Sequence, residues 1–90
     1  MGKLNLSQTS QFKKDIKKQK KQGKDIGKIK ALIELLLSSE PLPMHCRDHS
    51  LSGNWSGFRD CHVEPDWILI YRLLPDELRL ERTGSHSELF

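Results

Sequence analysis

Two short turns, Glu64-Pro65-Asp66 and Pro75-Asp76-Glu77, separate three β-rich runs: Trp55 to Val63, Trp67 to Leu74 and Leu78 to Thr83. A parallel crossover needs roughly a dozen residues or more, so these connections predict an antiparallel meander. Alternation along a strand puts Arg59, Cys61 and Val63 on one face of the first run and Phe58, Asp60 and His62 on the other. One face of the sheet is thus expected to pack and the other to carry chemistry.

Upstream, Lys3-Leu4-Asn5-Leu6-Ser7 alternates polar and apolar residues and reads as a short first strand. Thr9 or Ser10 caps a helix in which Phe12 and Ile16 form a narrow apolar stripe among lysines, ending near Gly23. From a cap at Asp25, Ile26, Ile29, Ile33 and Leu36 form a broader stripe widened by Leu32, Leu35 and Leu37. Pro41 and Pro43 end this second helix. A loop follows from Pro41 to about Asn54, long for so small a chain, carrying His45, Cys46, Arg47, Asp48 and His49. The reading is α+β, in the order β-α-α-β-β-β. Two N-terminal helices pack on one face of a mostly antiparallel four-stranded sheet, in one domain over residues 1–90.

Ninety residues support a single modest core, which excludes a two-domain enzyme with a large cofactor cleft. Charge is distributed unevenly. Residues 1–30 hold ten lysines against Asp15 and Asp25, a balance of +8, whereas residues 31–90 hold five arginines against ten acids, a balance of −5. Clustered lysines focus a field that attracts a polyanion, although a solvated lysine face without a ligand has the same composition. The longest apolar stretch, Ala31 to Leu37, is interrupted by Glu34 and too short for a membrane span. Two cysteines are too few for a disulfide framework, and no apolar signal segment opens the sequence, so a cytoplasmic location is expected, with no membrane partner.

Nucleotide-binding glycine loops, a helical HExxH and a GxSxG elbow are all missing. His45, Cys46, His49, Cys61 and His62 include zinc-binding types, but the cysteines stand singly and fifteen residues apart, and alternation turns Cys61 away from His62. No metal and no cofactor is expected. Histidines without metal suit another task. Cutting RNA requires a base for the 2′-hydroxyl proton, an acid for the leaving 5′-oxygen and cations for the charge on the phosphorane. Imidazole can serve either proton transfer near neutral pH, and guanidinium forks toward phosphate. The plainer alternative places His45 and His49 on a loop surface and His62 as a half-buried strand residue.

At Asp48-His49-Ser50-Leu51, at Arg59-Asp60-Cys61-His62-Val63-Glu64-Pro65-Asp66-Trp67 and at Glu81-Arg82-Thr83-Gly84-Ser85-His86-Ser87-Glu88-Leu89-Phe90, the chain closely resembles the YafQ branch of the RelE/ParE toxin superfamily. The lysine-rich, two-helix start agrees in character. The resemblance implies a RelE-like fold and a bacterial toxin of a type II toxin–antitoxin module that cuts messenger RNA in the ribosomal A site. It also implies catalytic roles for His49, His62 and His86 with Asp60 and Asp66, and RNA contacts from Arg59, Arg82 and Phe90. Cys61 stands where relatives often carry alanine, and His45 and Cys46 have no counterpart. Lys13, Lys17 and Lys20 on the first helix would meet ribosomal RNA.

The base is His49 or His62 and the acid His86 in this scheme, with Asp60 or Asp66 orienting an imidazole. Implied partners are the message, ribosomal RNA, a cognate antitoxin and, through the toxin–antitoxin complex alone, operator DNA. Two alternatives stay open on the residues: a ParE-like gyrase poison, which needs no such histidines, and a non-catalytic nucleic-acid-binding module.

Overall fold

The computed structural model describes residues 4–90. Lys3, assigned above to the first strand, lies outside the described residues. The elements run β1 (Asn5–Gln8), α1 (Ser10–Lys21), α2 (Ile26–Leu37), β2 (His49–Ser50), β3 (Arg59–Glu64), β4 (Trp67–Leu74), β5 (Glu77–Gly84) and α3 (His86–Leu89). The α+β class is as expected, but the sheet has five strands in the order β1-β5-β4-β3-β2. β1 pairs in parallel with β5, and the other pairs are antiparallel.

Local chemistry explains the helices. Thr9 caps α1 by accepting the Phe12 backbone N–H at 2.9 Å, and its own hydroxyl donates to the Glu81 carbonyl at 2.9 Å, tying the cap to β5. Phe12, Asp15 and Gln19 form the buried face of α1, while Lys13, Lys17 and Lys20 are exposed. Asp25 caps α2 through the Gly27 N–H at 2.9 Å. Lys18, Lys20 and Lys21 crowd the last turn of α1, where positive charge complements the helix dipole.

Both sheet faces are covered, unequally. Phe12, Ile29, Leu32 and Leu36 from the helices bury Cys61, Trp67, Leu69, Tyr71, Leu78 and Leu80 on one face. Each fully buried leucine or larger apolar side chain there contributes about 1.5–3 kcal/mol relative to exposure. Trp67 is fully buried, and its indole N–H donates to Thr83 Oγ1 at 2.9 Å, so the ring packs without stranding a donor. The opposite face carries a smaller cluster of Ile68, Ile70 and Leu89, edged by Leu51, Trp55 and Phe58. Among the described residues no helix is long and apolar enough to cross a membrane.

Three local departures from the expected order follow from turn chemistry. The long loop contains two 3₁₀ turns, Met44–Cys46 and Gly53–Trp55, and between them β2, which is the fifth strand. The strand expected from Trp55 starts only at Arg59, because Trp55 closes the second 3₁₀ turn and Gly57 adopts a φ of 91°, a left-handed geometry incompatible with a continuing strand. The C-terminal tail forms α3, whose Ser85 and Glu88 close a reciprocal capping box.

Candidate active site

The meander register sets the site. His49 pairs with Asp60 across β2 and β3, and His62 pairs with Ile68 across β3 and β4. Residues directly opposite one another share a sheet face, so Asp60 and His62 lie on the side of Ile70 and Ile68. Leu89 docks on those same two isoleucines and brings His86, at the start of α3, to within 5.9 Å of the His62 ring, centroid to centroid. The three histidines, drawn from an edge strand, an inner strand and the tail, thus gather on one face. His45, Arg47, His62, Glu64, Pro65 and His86 line a cleft of about 450 Å³ there, within the usual range for small-ligand sites.

Hydrogen bonds orient the rings. His49 Nδ1 lies 2.8 Å from the Arg47 carbonyl and His62 Nδ1 lies 3.3 Å from the Cys46 carbonyl. A carbonyl oxygen only accepts, so in each ring Nδ1 carries the hydrogen and Nε2 of the neutral ring keeps a free lone pair. His86 is held differently. Asp66 accepts its backbone N–H at 3.1 Å and lies 3.6 Å from Nδ1.

Asp60 sits 3.0 Å from His49 Nδ1 and is only 4% exposed. Because that nitrogen's hydrogen is directed to the Arg47 carbonyl, Asp60 Oδ1 is buried without a hydrogen bond. Burial pushes its carboxyl above the ordinary 3.8, against the opposing pull of His49 and His62.

An aromatic path continues from the histidines. Phe90 lies 5.7 Å from the His86 ring and 5.8 Å from Trp55, which in turn packs edge-on to Phe58 at 5.3 Å. Phe90 is 53% exposed and offers a flat surface beside the cleft.

The two arginines expected to serve the phosphate are each held by a carboxylate. Arg59 shares the face of Tyr71 and is paired with Asp48 at 3.3 Å, and Asp48 also takes the Tyr71 hydroxyl. Arg82 is paired with the buried Asp15 at 2.8 Å, in a separate depression lined by α1. Cys61 is fully buried on the packed side as alternation predicts, and burial pushes its thiol up. Among the described residues no group of three or more His, Cys, Asp or Glu could hold a metal ion.

Arg47 and His45 line the cleft although neither was among the site residues expected from sequence. Arg47 closes the first 3₁₀ turn with φ 48° and ψ 46°, a left-handed conformation that costs a non-glycine residue about 1–2 kcal/mol. Only its position two residues before His49 signalled it. The Ser85-x-x-Glu88 pattern before Leu89 was the available sign of α3.

A family model described as the bacterial toxin of type II toxin–antitoxin systems, YafQ, matches residues 4–90. The chain belongs to the YafQ family. The mRNA interferase toxin YafQ of Escherichia coli K12 is 50% identical over 86 residues, covering 94% of each chain. A crystal structure of YafQ from E. coli BL21(DE3) superimposes with a TM-score of 0.92 at 48% identity, covering 97% of this chain and 98% of that one. YafQ in the E. coli DinJ–YafQ toxin–antitoxin complex gives 0.90 at 48% identity, covering 98% of both chains. The family expected from the motif residues is the one found.

Proposed function

We propose that this YafQ-family toxin is a ribosome-dependent endoribonuclease that cuts messenger RNA in the A site by general acid–base catalysis. The observation that carries this reading is the gathering of His62 and His86, 5.9 Å apart, on the face where His49 meets Asp60. The curated relative's name, mRNA interferase, supports the same activity.

The chemistry follows from the ring orientations. Nε2 of His49 or His62 takes the 2′-hydroxyl proton, and the freed oxygen attacks phosphorus. As the P–O5′ bond breaks, imidazolium His86 gives its proton to the leaving 5′-oxygen, producing a 2′,3′-cyclic phosphate and a 5′-hydroxyl. Each positioned proton-transfer group contributes about 10²–10⁴-fold. Asp60 lies against the His49 ring, and Asp66 holds the acid in place. Phe90 stacks on a base of the message. Lys13, Lys17 and Lys20 contact ribosomal RNA, a salt-dependent attraction with little sequence content. Arg59 and Arg82 reach RNA only by loosening their carboxylate pairs.

A cognate antitoxin restrains the toxin by covering its basic or histidine-bearing surface, as DinJ accompanies YafQ in E. coli. Operator DNA is bound through that complex. The test is message cleavage in a translating extract, with 5′ ends mapped, for the parent, His62→Ala and His86→Ala. The parent cuts ribosome-bound message and spares naked RNA, and both variants lose cutting by at least about 10²-fold. Unchanged cutting by both variants rejects the reading.

A further inference from the structure

Scission of a phosphodiester needs a cation at the phosphorane, and the five arginines differ in what already holds them. Arg59, Arg79 and Arg82 are paired with Asp48, Glu77 and Asp15. The Arg72 guanidinium lies 5.3 Å over the Phe58 ring. Arg47 is exposed, and among the described residues its side chain has no ion pair, hydrogen bond or ring contact. It is also the arginine that lines the cleft with His62 and His86. The one carboxylate in that lining, Glu64, is engaged by Lys28 at 2.7 Å, so it does not compete for the guanidinium.

We propose that Arg47 is a catalytic residue whose guanidinium grips the scissile phosphate and stabilises the charge of the phosphorane. This rests on the nuclease reading above. A guanidinium presents paired donors that match two phosphate oxygens, and in a cleft it acts where negative charge accumulates in the transition state. Arg47 does two jobs from one position. Its carbonyl fixes the His49 ring at 2.8 Å, while the left-handed backbone at φ 48° carries the side chain to the cleft lining. Strained backbone of this kind concentrates at working sites because the surrounding structure must enforce it.

The same backbone geometry supplies a clean test. Arg47→Gly suits a positive φ, keeps the carbonyl that holds His49 and removes the guanidinium alone. Single-turnover cleavage of ribosome-bound message, ribosome affinity and thermal midpoint are measured for the parent, Arg47→Gly, Arg47→Lys and His86→Ala. We expect Arg47→Gly to melt no lower than the parent, to bind ribosomes within about threefold of it and to cut about 10²–10³-fold slower. Arg47→Lys, a point charge without the fork, falls between. If Arg47→Gly cuts at the parent rate while His86→Ala is inactive, the assignment of Arg47 is wrong and the nuclease reading stands. A loss confined to ribosome affinity also overturns it. If His86→Ala cuts normally, the nuclease reading itself has failed.

Discussion

Asp66 holds His86 at two points, accepting its backbone N–H at 3.1 Å and approaching its ring nitrogen at 3.6 Å. The turn between β3 and β4 thereby positions the first residue of α3. Both side chains are well exposed, so the tether serves placement more than stability. Asp66→Ala should lower single-turnover cleavage about 10–100-fold with little change in thermal midpoint or ribosome affinity. Asp66→Asn retains an oxygen for the backbone N–H and should recover part of that loss. Equal defects in the two variants would show that charge, and not tethering, is what His86 requires.

Asp60 should trade stability for activity. Its carboxyl is raised above the ordinary 3.8 by burial, so ionisation is disfavoured in the folded protein. Its contribution is therefore most favourable below the unfolded value and is lost as pH rises through the folded one. Asp60→Asn removes this penalty. The variant should melt at or above the parent at pH 8, lose that advantage near pH 3 and cut message more slowly because His49 has lost its anionic neighbour. Melting curves at the two pH values, paired with cleavage rates, check both halves.

Acid should release the tail. Lys18, at 2.7 Å, is the largest of the influences that hold Glu88 down to about 2, helped by the Ser85 backbone N–H. For a depressed carboxyl the stabilisation is present above its ordinary 4.5 and disappears as pH falls toward about 2. Across that window α3 should loosen and Phe90 should leave Trp55, changing tryptophan fluorescence before the main unfolding transition. Glu88→Gln should show the loosened signal already at pH 6.

The lysines of α1 should act through salt. Lys13, Lys17 and Lys20 are exposed. Replacing all three by glutamine should weaken ribosome binding without altering the bond cut, and flatten the log–log dependence of affinity on salt by about 0.7–0.9 per charge that contacts phosphate. An unchanged slope would remove these lysines from the RNA contact.

The meander was legible because two three-residue turns permit little else, and alternation correctly put Asp60 and His62 on one face with Cys61 on the other. The helix caps at Thr9 and Asp25 could be read from side-chain type. The arginines were harder. Arg59 and Arg82 look available in sequence, but their engagement depends on Asp48 and Asp15, and the Arg82 partner is 67 residues away. Asp15 counted only as one acid among many lysines, whereas its carboxylate also accepts the Thr83 backbone N–H at 3.2 Å. β2 was hidden for another reason: two residues show no periodicity, and their strand geometry comes from pairing with Arg59 and Asp60.

The parallel pairing of β1 with β5 joins Asn5 to Glu77, among the first and last parts of the fold to be made. During synthesis the opening strand has no neighbour until the meander has emerged, and His86 follows only after that. A growing chain therefore lacks the complete imidazole set.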